Sequence, residues 1–353
     1  MPKPILAALL SCRGYQLTDF EKNIFNNSNP LGITLFARNI QNKQQLRILI
    51  KEIKETIGRD DVLIAIDQEG GRVRRLKEPE FISYSSQTNI GNLPSNTAKS
   101  AAKLHAELIS SDLRELDINV NFAPVLDICY PQTTEALRSR CFSSDVSIIS
   151  SLGQITIETY KKYGILPCIK HMPGHGLASM DPHLGLPVIN ISEQQLQTEI
   201  FPFKNCNSAP LGMTAHILLP SIDANNPLTQ SAIGIKTLIR EQIGFQGLLI
   251  SDSIDMKALK GNIIDKTNLS IQAGCDCICY CMAKENELTD LAENCPKLSD
   301  AALERLDNAI QILHNAKRVS RVQTKAHKYK TLIGNTLPYK ETYDATEVLH
   351  QLS

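Results

Sequence analysis

Short apolar runs alternate along the chain with longer stretches in which apolar residues recur every three or four positions. The short runs cover residues 5–10, 32–36, 62–67, 119–127, 166–171, 211–216, 247–252 and 276–281. They lack the polar alternation of a half-exposed sheet, so they read as strands buried on both faces. The stretches between them, such as 43–57, 98–116 and 146–163, carry one apolar stripe each and read as amphipathic helices. Eight strands, each followed by a helix or a long loop, predict a single α/β domain, a (β/α)8 barrel over residues 1–317. An open doubly wound sheet would want a Gly-rich phosphate loop after an early strand, and none appears. Residues 318–353 are basic, then mixed, with Pro338, and read as a tail appended to the barrel or covering it.

The ends of the predicted strands carry chemistry: Asp67, Asp127, Lys170-His171, His216 and Asp252. In a barrel all C-terminal strand ends meet on one face, so these groups are expected to converge.

Composition narrows the function classes. Lys+Arg and Asp+Glu both number 37, so the net charge is zero and neither a nucleic acid nor a membrane is an expected partner. Tryptophan is absent and aromatics make up 5%, so a sugar would be held mainly by polar groups rather than by stacking. The first twelve residues faintly mimic a lipoprotein leader, but the apolar stretch is short and a buried first strand explains it better. The ten cysteines are spread through the chain and are expected to be free thiols in a cytoplasmic monomer. Cys275, Cys277, Cys279 and Cys281 alternate and read as one small-residue core face of a strand.

Three segments concentrate polar side chains. Residues 170–183 hold Lys170, His171, His175, Asp181 and His183 in a loop with two prolines after its first strand residues and two glycines, which rule out a continuing helix. His171 and His175 therefore do not share a helix face, and a metal site is not expected. Asp181 lies two residues before His183, where it can fix the imidazole tautomer. Residues 65–75 set Asp67, Glu69, Arg72, Arg74 and Arg75 around a Gly-Gly pair. Such acids and guanidinium forks suit sugar hydroxyls, whereas a structural salt-bridge loop suffices for Glu69 and Arg72. Residues 244–256 run from an apolar strand onto Asp252, a candidate nucleophile or base, while Asp255 suits the start of the next helix. His105, His314, His327 and His350 read as incidental.

Lys170-His171-Met172-Pro173-Gly174-His175-Gly176 followed by Asp181-x-His183 resembles the signature of family 3 glycoside hydrolases, in the branch of bacterial β-N-acetylglucosaminidases of peptidoglycan recycling. The likeness extends to residues 35–39, 67–73, 121–127, 213–216 and 244–252, in the same order from about residue 10 to 290. It implies a retaining two-step hydrolysis with Asp252 as nucleophile and His183, polarised by Asp181, as general acid/base. It also implies sugar contacts from Asp67, Arg75, Arg140, Lys170 and His171, with Arg138 as the alternative to Arg140. The implied substrate is N-acetylglucosamine linked β-1,4 to anhydro-N-acetylmuramic acid, with no cofactor and no metal. The sequence departs from the family pattern at Ser253, Asp255, Pro182 and Ser143, none of which removes a catalytic group. Rival readings are a glycoside phosphorylase, a metal-dependent hydrolase and a catalytically silent sugar-binding protein.

Overall fold

The computed structural model describes residues 3–334. Strands β1 (Leu6–Ser11), β2 (Pro30–Leu35), β3 (Leu63–Ile66), β4 (Val120–Asn121), β5 (Leu166–Met172), β6 (Leu211–Thr214), β7 (Leu248–Ser253) and β8 (Cys277–Cys279) pair in parallel and in sequence order. β8 also pairs with β1, which closes the barrel. The fold expected from the alternating pattern is thus the fold observed. β1, β2, β3 and β5 are buried at every residue, because the barrel interior covers one face and the helices the other.

The helix Lys43–Ile57 illustrates how the outer layer forms. Leu46, Leu49, Ile50, Ile53 and Ile57 make its buried stripe, Asn42 caps its first turn through the Gln45 amide, and Gly58 ends it at φ 78°. Burying each such aliphatic side chain contributes about 1.5–3 kcal/mol.

β4 is much shorter than the predicted run 119–127. Pro124 has no amide to give to a ladder, so regular pairing stops before it. The chain nevertheless stays beside β5: the Leu126 amide donates to the Lys170 carbonyl at 2.8 Å, and the Lys170 amide to the Pro124 carbonyl at 3.3 Å. Asp127 is thereby delivered beside His171.

Asp255 is not a helix start. The next helix begins at Ile263 with Asn262 as its cap, and Asp255 sits in an intervening turn, where it accepts from the Ser253 hydroxyl and from the Cys281 amide. Its carboxylate is drawn to donors on β7 and after β8, which no local pattern encodes.

The described part of the expected tail contains a helix, Val322–Ile333, that packs against the helix Ser95–Glu115 and buries Tyr329 completely. Residues 335–353, Pro338 and His350 among them, lie outside the described residues. No helix among the described residues is long and apolar enough to cross a membrane.

Candidate active site

The loops at the C-terminal ends of the strands line one pocket, and Asp67, Arg75, Arg140, Lys170, His171, Asp181, His183 and Asp252 all border it. Phe36, Phe122 and Met213 supply apolar wall between them. Arg138 instead is exposed and turns to the Pro131 and Thr133 carbonyls, so Arg140 is the arginine that reaches the pocket.

A buried ionic network forms one side. The Lys170 ammonium lies 2.8 Å from Asp67 Oδ1 and 2.7 Å from Glu69 Oε1. Arg140 grips Glu69 with a two-pronged contact, Nε to Oε2 and Nη2 to Oε1, both at 2.9 Å. Arg75 Nη2 stands 3.4 Å from Asp67 Oδ2. Burial opposes ionisation of Asp67, yet Lys170 and Arg75 hold its carboxyl far below the usual range. Glu69 is likewise held low against its burial by Arg140 and Lys170, and burial's pull on Lys170 is outweighed by Asp67 and Glu69, which hold it high. The network stays charged and presents fixed donors and acceptors of the kind sugar hydroxyls need.

Glu69 is therefore more than a loop salt bridge, because it is the shared anchor of Arg140 and Lys170. The Gly70-Gly71 turn lets it point inward. Gly70 has φ 99°, and a Cβ there would lie 2.3 Å from the Ser85 carbonyl oxygen and 2.8 Å from His105 Cε1. Gly70→Ala is expected to destabilise the protein by about 2–4 kcal/mol. A lowered urea midpoint at unchanged m-value would register this, and an unchanged midpoint would contradict it.

Behind His171 lies Asp127. Its Oδ2 is 2.7 Å from His171 Nδ1, and its Oδ1 accepts the His175 amide at 2.7 Å. Asp127 was visible in the sequence as a strand end but not as the partner of a particular histidine. His216 is similar: it is fully buried between the Thr229 hydroxyl and the Ser253 carbonyl, under the end of β7.

In the same pocket, His183 Nδ1 lies 2.7 Å from Asp181 Oδ1, which also accepts the His183 amide at 2.9 Å. Burial alone would lower the imidazole pKa, but the Asp181 hydrogen bond and charge raise it overall. With Nδ1 held by the carboxylate, Nε2 is the nitrogen left to exchange a proton with a bound molecule. At Asp252 burial also opposes ionisation, and His171, His216 and the Ser253 amide outweigh it, so the carboxyl is held below its ordinary range. Its Oδ1 accepts the Ser253 amide at 2.7 Å. Ser253 and Asp255, the two positions where hydroxyl and carboxylate are exchanged relative to the family pattern, still bond to each other.

No group of three or more His, Cys, Asp or Glu among the described residues is arranged to hold a metal ion. His171 and His183 each spend one ring nitrogen on a carboxylate, and the His175 ring is tilted 59° from that of His171, with the centroids 5.9 Å apart. Activity is expected to survive EDTA unchanged. Loss on chelation with recovery on adding zinc would revive the metallohydrolase reading.

A family model for the glycosyl hydrolase family 3 N-terminal domain matches residues 7–321. The chain belongs to this family. It is a glycoside hydrolase, and its relatives include a β-hexosaminidase of Psychromonas ingrahamii, 34% identical over 77% of this chain and 82% of that one. A β-hexosaminidase of Bordetella parapertussis is 28% identical over 97% of this chain and 94% of its own. Among solved structures, NagZ of Neisseria gonorrhoeae in complex with N-trifluoroacetyl-D-glucosamine superposes with a TM-score of 0.83 at 27% identity, covering 94% of this chain and 99% of that one. The family 3 barrel thus accounts for β1 through the helix Asp300–His314, and the helix Val322–Ile333 begins just beyond the matched residues.

Proposed function

We propose that this family 3 enzyme is a retaining exo-β-N-acetylglucosaminidase, which removes terminal non-reducing N-acetylglucosamine from β-1,4-linked anhydro-muropeptides in cell-wall recycling. The observation that carries the reading is that an ionised acid, Asp252, an imidazole–carboxylate pair, His183–Asp181, and the charged network around Asp67 and Lys170 line one pocket. The Neisseria relative, captured with an N-acylated glucosamine, supports the same sugar class.

In the first step an Asp252 carboxylate oxygen attacks the anomeric carbon. The bond to the leaving oxygen breaks, and that oxygen takes the proton from His183 Nε2. In the second step neutral His183 removes a proton from water. The water oxygen attacks the anomeric carbon, and the bond to Asp252 breaks, which frees the sugar and restores the carboxylate. Lys170, Arg140, Arg75, Asp67 and His171 bind the sugar hydroxyls and keep the ring oriented for both steps. The chain is read as working as a monomer in the cytoplasm, a setting that its free cysteine thiols fit.

Release of sugar from an aryl β-N-acetylglucosaminide, compared with the aryl β-glucoside, tests the substrate class. The N-acetylated substrate is expected to be strongly preferred, and equal rates would overturn the sugar assignment. Running the reaction with and without phosphate is expected to yield free N-acetylglucosamine in both cases. A sugar phosphate would convert the hydrolase reading into a phosphorylase.

A further inference from the structure

We infer that Tyr329, on the helix beyond the matched family domain, is a positioning residue for sugar binding, acting through His105 on Glu69. The inference rests on the proposed sugar contacts of Arg140 and Lys170, both of which Glu69 anchors.

The connection is a directed chain of hydrogen bonds. The Ser85 amide donates to the Tyr329 hydroxyl at 3.0 Å. That hydroxyl lies 2.8 Å from His105 Nδ1, and His105 Nε2 lies 2.9 Å from the Glu69 carbonyl oxygen. A carbonyl can only accept, so Nε2 carries the ring proton. His105 is buried, and burial lowers its pKa to about 4, which leaves the ring neutral with a single N–H. Nδ1 must then accept, and Tyr329 must donate to it. Every group in the chain has one role, and none can reverse without leaving a buried polar atom unpaired. His105, which looked incidental in the sequence, is thus the link between the appended helix and the site loop.

The surroundings hold this chain in place. Tyr329 is fully buried and packs beside Tyr84 and His105, with ring centroids 6.2 and 5.7 Å away. Tyr84 donates to Asp112 at 2.6 Å, and its carbonyl accepts the Gly71 amide at 2.9 Å. The helix is also tied down by Lys325, 2.8 Å from Glu107 of the helix beneath it. The Glu69-Gly70-Gly71 turn is therefore clamped from behind, while the Glu69 carboxylate holds Arg140 and Lys170 in front. A small shift of that turn would move both cations, and binding geometry is sensitive to such shifts.

The test is steady-state kinetics on an aryl β-N-acetylglucosaminide with the full chain. Tyr329→Phe keeps the ring and removes the hydroxyl, and is expected to raise KM about tenfold with kcat changed by less than about threefold. A purely structural role would lower Tm but leave the KM of the folded enzyme unchanged, which would overturn the inference. In a Glu69→Gln background the effect of Tyr329→Phe on KM should shrink to near unity, whereas an undiminished effect would mean that it does not act through Glu69. Arg140→Ala separates the two levels. If it leaves KM unchanged, the proposed sugar contact itself fails. If it raises KM while Tyr329→Phe does not, only the role of Tyr329 fails. Should Tyr329→Phe not fold, His105→Gln and His105→Leu replace it. The glutamine amide can still donate to the Glu69 carbonyl and should stay within about threefold of the parent KM, while leucine should show the full tenfold rise. Equal KM values for these two would also overturn the inference.

Discussion

Asp252→Ala is expected to lower turnover by about four orders of magnitude or more while the sugar still binds. The apolar residues of β7 carry the chain to a carboxylate at the barrel mouth. Two acids on this segment border the pocket, and their surroundings differ. Asp255 is occupied by the Ser253 hydroxyl and the Cys281 amide, whereas Asp252 takes one amide bond on Oδ1 and its Oδ2 has no hydrogen-bond partner among the described residues. Asp252 is also held ionised, as a nucleophile must be. No neighbouring carboxylate stands in its place, so the loss should be near complete. Added azide should partly restore turnover of an activated aryl glycoside, by entering the vacated space and attacking the anomeric carbon as the aryl oxide departs. The product would be a glycosyl azide of inverted configuration. A variant retaining a tenth of the parent rate would sink the covalent mechanism.

Removal of the His183 imidazole should hurt substrates according to their leaving group. The first step delivers a proton to the departing oxygen, which a sugar alkoxide needs far more than a nitrophenolate does. General acid catalysis contributes about a hundred- to ten-thousand-fold. Glycosylation of His183→Ala by a disaccharide should therefore collapse by that factor, while glycosylation by the nitrophenyl glycoside should fall much less. Pre-steady-state rates are the proper readout, because in the proposed mechanism His183 also serves as base in the second step. Equal losses in the first step for both substrates would reduce His183 to a positioning role.

The pH dependence follows with a definite sign. As the acid, His183 must be protonated, so kcat/KM falls as pH rises through its pKa. Burial lowers that pKa, but the Asp181 hydrogen bond and charge raise it overall, so this limb should stand above that of an ordinary histidine. Asp181→Asn removes the charge that helps to raise it, keeping at most a neutral hydrogen bond, and should move the limb to lower pH, with a milder form of the His183→Ala pattern. The Asp252 limb, where activity falls with falling pH, should lie deep in the acid range. A basic limb unmoved by Asp181→Asn would contradict the pairing.

Much of this site was legible because its positions follow local rules. Asp67, Lys170, His171 and Asp252 end apolar strand runs, and a barrel gathers strand ends. Asp181 and His183 are two residues apart, so their bond is a local matter. Glu69 was legible only as an acid beside arginines. That it anchors Lys170 and Arg140 depends on a strand residue about a hundred positions away and a loop residue about seventy away. Asp255 was misplaced for the same reason: a cap is a local guess, and the Cys281 amide that claims this carboxylate comes from beyond β8. His105 and Tyr329 carried no signal at all, since each bonds to backbone or side chains far off in the chain.

By itself, then, the sequence determined the barrel, the order of its strands and the groups that stand at their mouths. Burial periodicity is a property of neighbours along the chain, and closure of the barrel follows from it. The tertiary structure decided which acid meets which base, which carboxylate is left open to the pocket, and how a helix past the family domain reaches the back of the loop that carries Glu69. Those are distances between residues remote in sequence, and only packing of the closed barrel sets them.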